Sequence, residues 1–187
     1  MSKLPRAIIA VLLAVVLLVA GCSSSPASEG PISVGRIINY STDTTEAPQI
    51  DSPAPDFQFE DASGQITSLD GLQGSPVLIN FWATWCPSCT SEMPYLQQIY
   101  DEWSERGLVV LAINIGEQQS TVEKFLQSNG LSLPVLLDTD QMVAQIYNVH
   151  YIPATFFIDE DGVIKEIKIG AFRNVQEIEN SLKKIMP

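Results

Sequence analysis

The chain has 187 residues, enough for one domain with short appendages, and its formal net charge is -12. That charge excludes a general affinity for nucleic acid or for anionic lipid surfaces. Three cysteines, one of them in the N-terminal segment, leave a single close pair, Cys86 and Cys89, which is too few to staple a domain and is therefore redox-active or metal-binding.

Residues 1–22 read MSKLPRAIIAVLLAVVLLVAGC. Lys3 and Arg6 form a charged start, and Ala7 to Ala20 is an unbroken apolar run of 14 residues. A membrane span needs about 20 apolar residues, so the run suits the hydrophobic region of a signal peptide. The two basic residues on its inner side agree with the positive-inside rule. Val19-Ala20-Gly21-Cys22 resembles the lipobox of bacterial lipoproteins. That resemblance implies cleavage after residue 21, a diacylglycerol on the Cys22 thiol, and a domain held at the outer face of the cell membrane. Residues 22–50 are rich in Ser, Pro, Gly and Ala at their start and carry no clear period, so they read as a flexible tether. Within them the more apolar stretch from Ile32 to Tyr40 is a candidate for docking on the domain.

The domain is expected over residues 51–187. Asp56 to Glu60 alternates polar and apolar residues and reads as a strand, and Gln65 to Leu69 follows a turn as a second one. Pro76 opens Val77 to Ala83, an apolar run of strand length expected to be buried on both faces. Helical spacing of Met93, Leu96, Ile99, Tyr100 and Trp103 predicts a helix from Cys89 to about Arg106, ended by Gly107. Leu108 to Ile115 is another buried strand. Thr121 to Asn129 is a helix with Ser120 as its cap, Glu123 closing a capping box, and Gly130 ending it. Leu133 to Leu137 is a short strand and Gln141 to Tyr147 a short helix. Thr155 to Ile158 and Val163 to Ile169 flank a turn at Asp159-Glu160-Asp161-Gly162, and Asn174 to about Ile185 forms a last amphipathic helix. The order predicts an α/β fold: a mixed central sheet with helices on both faces.

Trp85-Cys86-Pro87-Ser88-Cys89 falls where a buried strand gives way to a helix. Unpaired N–H groups and the positive end of the dipole at a helix start favour thiolate over thiol, and the thiolate is the species that attacks a disulfide. Cys89 follows close to one turn later, so both sulfurs share a face. Cys86 is expected to be the outward nucleophile and Cys89 the resolving thiol, with Pro87 stiffening the helix start. A structural zinc takes about four ligands, and the chain has one histidine, His150, so no metal is expected. Trp82 and Trp85 read as packing residues around the motif.

FWATWCPSC followed by Pro94, with INIGE, LPVLLDTD and IPATFFIDEDGVI, resembles the thioredoxin superfamily, and within it the TlpA/ResA-type extracytoplasmic oxidoreductases with redoxin or AhpC/TSA-like domains. The resemblance implies a thioredoxin-like fold and a thiol–disulfide oxidoreductase with no cofactor beyond the Cys86–Cys89 pair. The ResA subgroup implies reduction of apocytochrome c before haem attachment. It implies as partners exported proteins with oxidised cysteines and an upstream membrane thiol donor of the CcdA/DsbD kind. Three positions carry over. Ile152-Pro153 matches the family's cis-proline loop, which offers backbone groups to a client strand. Glu92 matches a glutamate near the cysteines that relays protons, and Glu117 a loop acid near the site, either in client contact or a solvated loop position. Asn80 stands where thioredoxin has a buried aspartate, which leaves Glu92 as the replacement proton acceptor. The TxxC spacing of peroxiredoxins is absent. An oxidase working in the opposite direction and a client-binding lipoprotein of metal-site maturation are the competing classes.

Overall fold

The structure, a computed structural model, describes residues 33–40 and 47–186. The expected signal peptide, the expected lipid site at Cys22 and the start of the expected tether lie outside the described residues. Among those described, no helix is long and apolar enough to cross a membrane.

The described elements run β1 (Val34–Tyr40), β2 (Phe57–Glu60), β3 (Ile66–Ser68), β4 (Val77–Trp82), α1 (Pro87–Trp103), β5 (Val109–Ile115), α2 (Gln119–Asn129), β6 (Val135–Asp138), α3 (Met142–Ile146), β7 (Ala154–Ile158), β8 (Ile164–Ile169) and α4 (Val175–Leu182). The strands form one sheet in the order β3-β2-β1-β6-β5-β4-β7-β8. β1, β6, β5 and β4 run parallel; β7 and β8 at one side and β2 and β3 at the other are antiparallel. The mixed sheet with helices on both faces is as expected.

Alternation along the central strands sorts the core. Leu78 and Trp82 of β4 point to the side covered by α1, α2 and α4, where Met93, Leu96, Ile99, Val122, Leu126, Ile178 and Leu182 pack. Val77, Ile79 and Phe81 point to the other side, against α3 and the aromatic cluster of Phe57, Tyr147 and Phe156. All six residues of β4 are buried, because the strand has a neighbour on each edge and a layer on each face.

The domain boundary at residue 51 needs correction. Val34–Tyr40, placed in the tether, is β1, an interior strand paired with β2 on one edge and β6 on the other. The stretch expected to dock on the domain does so, as a strand that its sequence does not announce. Gly35 is the one buried residue of the seven, so no apolar alternation marks it. Glycine sits there because β2 and β6 close in on it: a Cβ would collide with the Glu60 carbonyl oxygen and press on Asp61 Cα at 2.9 Å. The helix α2 also departs from expectation. Gln118 is its N-cap, with no side-chain cap bond, and Ser120 lies inside the first turn. Glu123 accepts from Gln119 Nε2 at 2.7 Å instead of closing a capping box.

A chain cut to begin at residue 47 lacks β1 and leaves the β2–β3 hairpin with no strand joining it to β6. Its denaturation midpoint is expected to fall well below that of a chain beginning at residue 33, by at least about 3 kcal/mol in stability. Equal midpoints would return β1 to the tether.

Candidate active site

β4 ends at Trp82, and Cys86 N–H closes a tight turn onto the Ala83 carbonyl at 3.2 Å. Cys86 is the N-cap of α1, with extended backbone angles (φ -96°, ψ 106°) and Pro87 following in the first turn. The capping role usually taken by a side-chain oxygen falls to sulfur: Cys89 N–H donates to Cys86 Sγ at 3.2 Å. That bond and the end of the helix dipole both favour negative charge on Cys86. Cys86 and Cys89 are joined as a disulfide, with Cα atoms 5.3 Å apart. Cys86 retains 5% exposure and Cys89 none, so both are buried and Cys86 is the less enclosed of the two. Ser88 Oγ lies 3.3 Å from Cys86 Sγ. The Ile152 carbonyl oxygen lies 3.8 Å from it, across the cis Ile152–Pro153 bond.

Glu92, one turn beyond Cys89, is fully buried. Its Oε1 accepts from Asn80 Nδ2 at 2.9 Å and its Oε2 from Phe172 N–H at 2.7 Å. Burial pushes its pKa up to about 7, outweighing those two bonds and the charge of Lys168, which all act to lower it. Lys168 Nζ stands over the Phe172 ring at 5.0 Å.

Glu117 has a different setting. Half-buried after the end of β5, it accepts from Thr84 N–H at 2.6 Å, from the Thr84 hydroxyl at 2.5 Å and from Asn114 Nδ2 at 2.8 Å. Both its oxygens are therefore committed to the turn that delivers Cys86, and it ties β5 to that turn. The expected client-contact role of Glu117 gives way to a positioning one.

Trp85 is also corrected: it is 68% exposed, whereas Trp82 is fully buried. Tyr151, at 76%, is the other large exposed side chain beside the pair's loops. His150 next to it is exposed as well. Sequence reasoning missed five partners: Thr84, Asn114, Thr155, Phe172 and Lys168. Asn114 and Thr155 carried a signal, since each is a polar residue in an otherwise apolar strand run. Phe172 contributes a backbone N–H from 80 residues away and Lys168 a long-range charge, and neither leaves a mark in the sequence.

The family model described as the AhpC/TSA family matches residues 50–167. The thiol-disulfide oxidoreductase ResA of Geobacillus kaustophilus is 39% identical over 149 residues, covering 80% of this chain and 84% of that one. StoA from Bacillus subtilis superposes with a TM-score of 0.60 at 29% identity, over 70% of this chain and 97% of that one. A thioredoxin-family thiol:disulfide interchange protein from Chlorobium tepidum gives a TM-score of 0.65 at 28% identity, over 75% of this chain and the whole of that one. The fold is thus thioredoxin-like.

Two outcomes are expected. Glu117→Ala leaves the Thr84 and Asn114 donors without their acceptor and lowers stability by about 2 kcal/mol in denaturant titration, whereas Thr84→Val, which removes one bond of three, costs less. A Glu117→Ala midpoint equal to wild type would free Glu117 for client contact. Glu92, with its pKa raised, holds a proton in the folded domain that the unfolded chain has released between about pH 4.3 and about 7. Folding stability of the oxidised domain therefore falls as pH rises through that window, and the fall is absent from the Glu92→Gln variant. Parallel stability curves for the two proteins would contradict the raised pKa.

Proposed function

The chain belongs to the AhpC/TSA family, among the ResA-type thiol-disulfide oxidoreductases, and we propose that it works as a reductant of exported proteins, with apocytochrome c as its client. The observation that supports this reading most is the asymmetry of the pair. Cys86 caps a helix and keeps a slight exposure; Cys89 is closed off one turn deeper, with a buried carboxyl one further turn along the same helix whose pKa is pushed up to about 7.

In the forward direction the Cys86 thiolate attacks one sulfur of the client disulfide. A Cys86–client bond forms, the client S–S bond breaks, and the released client thiolate takes a proton from solvent. Cys89 then gives its proton to the Glu92 carboxylate, and its thiolate attacks Cys86 Sγ. The Cys86–Cys89 bond forms as the mixed disulfide breaks, and the second client thiolate leaves. Two electrons pass from the pair to the client. An upstream membrane thiol donor of the CcdA/DsbD kind returns them.

Exposed Trp85 and Tyr151, with the Ile152–Pro153 backbone between Tyr151 and the pair, form a ledge for an extended client segment. Lipid on Cys22 and the remaining tether would keep that ledge at the outer face of the cell membrane. Haem attachment to a CxxCH segment needs both thiols free, and an oxidising compartment closes them, so a dedicated reductant has a task there.

In membranes of the host, Cys89→Ala is expected to accumulate mixed disulfides with CxxCH polypeptides, and Cys86→Ala none. Trapping by Cys86→Ala instead would reverse the two roles. Traps that hold only clients without CxxCH would remove cytochrome maturation and leave a general reductase.

A further inference from the structure

Asn80 is fully buried on β4, and its amide is used on one side only. Nδ2 donates to Glu92 Oε1 at 2.9 Å and to Thr155 Oγ1 at 3.0 Å, while Oδ1 has no partner among the described residues. A buried amide is ordinarily held by bonds at both ends. Here Glu92 and Thr155 alone decide which way it points, and both can reverse their hydrogen-bonding sense. A hydroxyl donates and accepts; a carboxyl group accepts when ionised and donates when protonated. Glu92 Oε2 already faces the Phe172 N–H at 2.7 Å, so the proton of the neutral acid belongs on Oε1, the oxygen against Asn80. Nδ2 would then meet a donor with a donor. After half a turn of the amide, Oδ1 stands in that place and accepts from both Glu92 and Thr155.

We propose that Asn80 is a reversible positioning residue whose side-chain amide turns over each time Glu92 gains or loses its proton, offering an N–H donor to the carboxylate and its acceptor oxygen to the acid. The proposal rests on the reading of Glu92 as proton acceptor for Cys89. The far end of the amide is without a partner in the observed orientation, so no bond there resists the turn. A fixed donor such as the Phe172 N–H favours the carboxylate alone; Asn80 matches either form at Oε1, and only its far end, Oδ1 in one orientation and Nδ2 in the other, is left without a partner among the described residues. The other groups around this cluster are Lys168 from β8, the Cys86–Cys89 pair at the start of α1, and the neutral Thr155 of β7. The main chain at Phe172 does not titrate. The turning of Asn80 is therefore tied to Glu92 and not to a second acid.

The test is nuclear magnetic resonance on the isotope-labelled oxidised protein, following the Glu92 Cδ signal and the Asn80 side-chain amide pair from about pH 5 to about pH 9. The expected result is one shared midpoint for both, and an Asn80 signal independent of pH in the Glu92→Gln variant. A Glu92 that titrates beside an unmoving Asn80 overturns the relay alone, and so does an Asn80 shift that persists in Glu92→Gln. A Glu92 Cδ signal that stays fixed over the range overturns the proton-acceptor reading and the relay with it.

Discussion

The end of β4 is pinned from both sides. Parallel bonds join it to β5 as far as Trp82–Asn114, and antiparallel bonds join it to β7 as far as Phe81–Ala154. Where those ladders stop, the chain must turn and enter α1, and the cysteines occupy that turn. The same register that fixes Cys86 also fixes its neighbours. Glu117 follows the last residue of β5 by two positions, and Ile152–Pro153 immediately precedes β7. Three stretches far apart in sequence therefore meet at one place with little freedom. A ligand or client site at the carboxyl ends of parallel strands is the usual outcome of such sheets.

Two glutamates near this junction have opposite fates, and their surroundings account for both. Glu117 is half-exposed and gathers donors from Thr84 and Asn114, so its carboxylate is a structural tie. Glu92 has two donors but is closed off from solvent, and that burial prevails over those bonds and over Lys168. Its proton affinity falls near neutrality, where an acceptor exchanges protons most readily. Asn80 belongs to the same arrangement: an ionisable side chain in its place would set a second acid against Glu92 in a site with no room to separate the charges.

The parts of the fold that rest on long apolar periods were legible in the sequence. β4, β5 and α1 stand within a few residues of where the runs of Val77 to Ala83, Leu108 to Ile115 and Cys89 to Arg106 put them. The cysteine pair was legible because its chemistry lies in two residues and their place at a strand–helix junction. What escaped was set by packing. β1 gives no alternation because both its edges, and only one of its side-chain positions, are closed. Trp85 reads as a packing residue around the motif, yet it is 68% exposed. The partners of Glu92 and Glu117 come through register, from Phe172, Asn114 and Thr84, and a single sequence does not display register.

The central claim is that the Cys86–Cys89 pair and the buried Glu92 share their protons. The reduction potential of the pair, measured against pH for the wild type and for Glu92→Gln, tests it most directly. A two-electron couple shifts by about 30 mV for each proton per pH unit. The account predicts that the wild-type line carries a change of slope near neutrality, where Glu92 titrates, and that this change is missing from the Glu92→Gln line. Two parallel lines would contradict it and leave Glu92 a buried residue without a part in the chemistry.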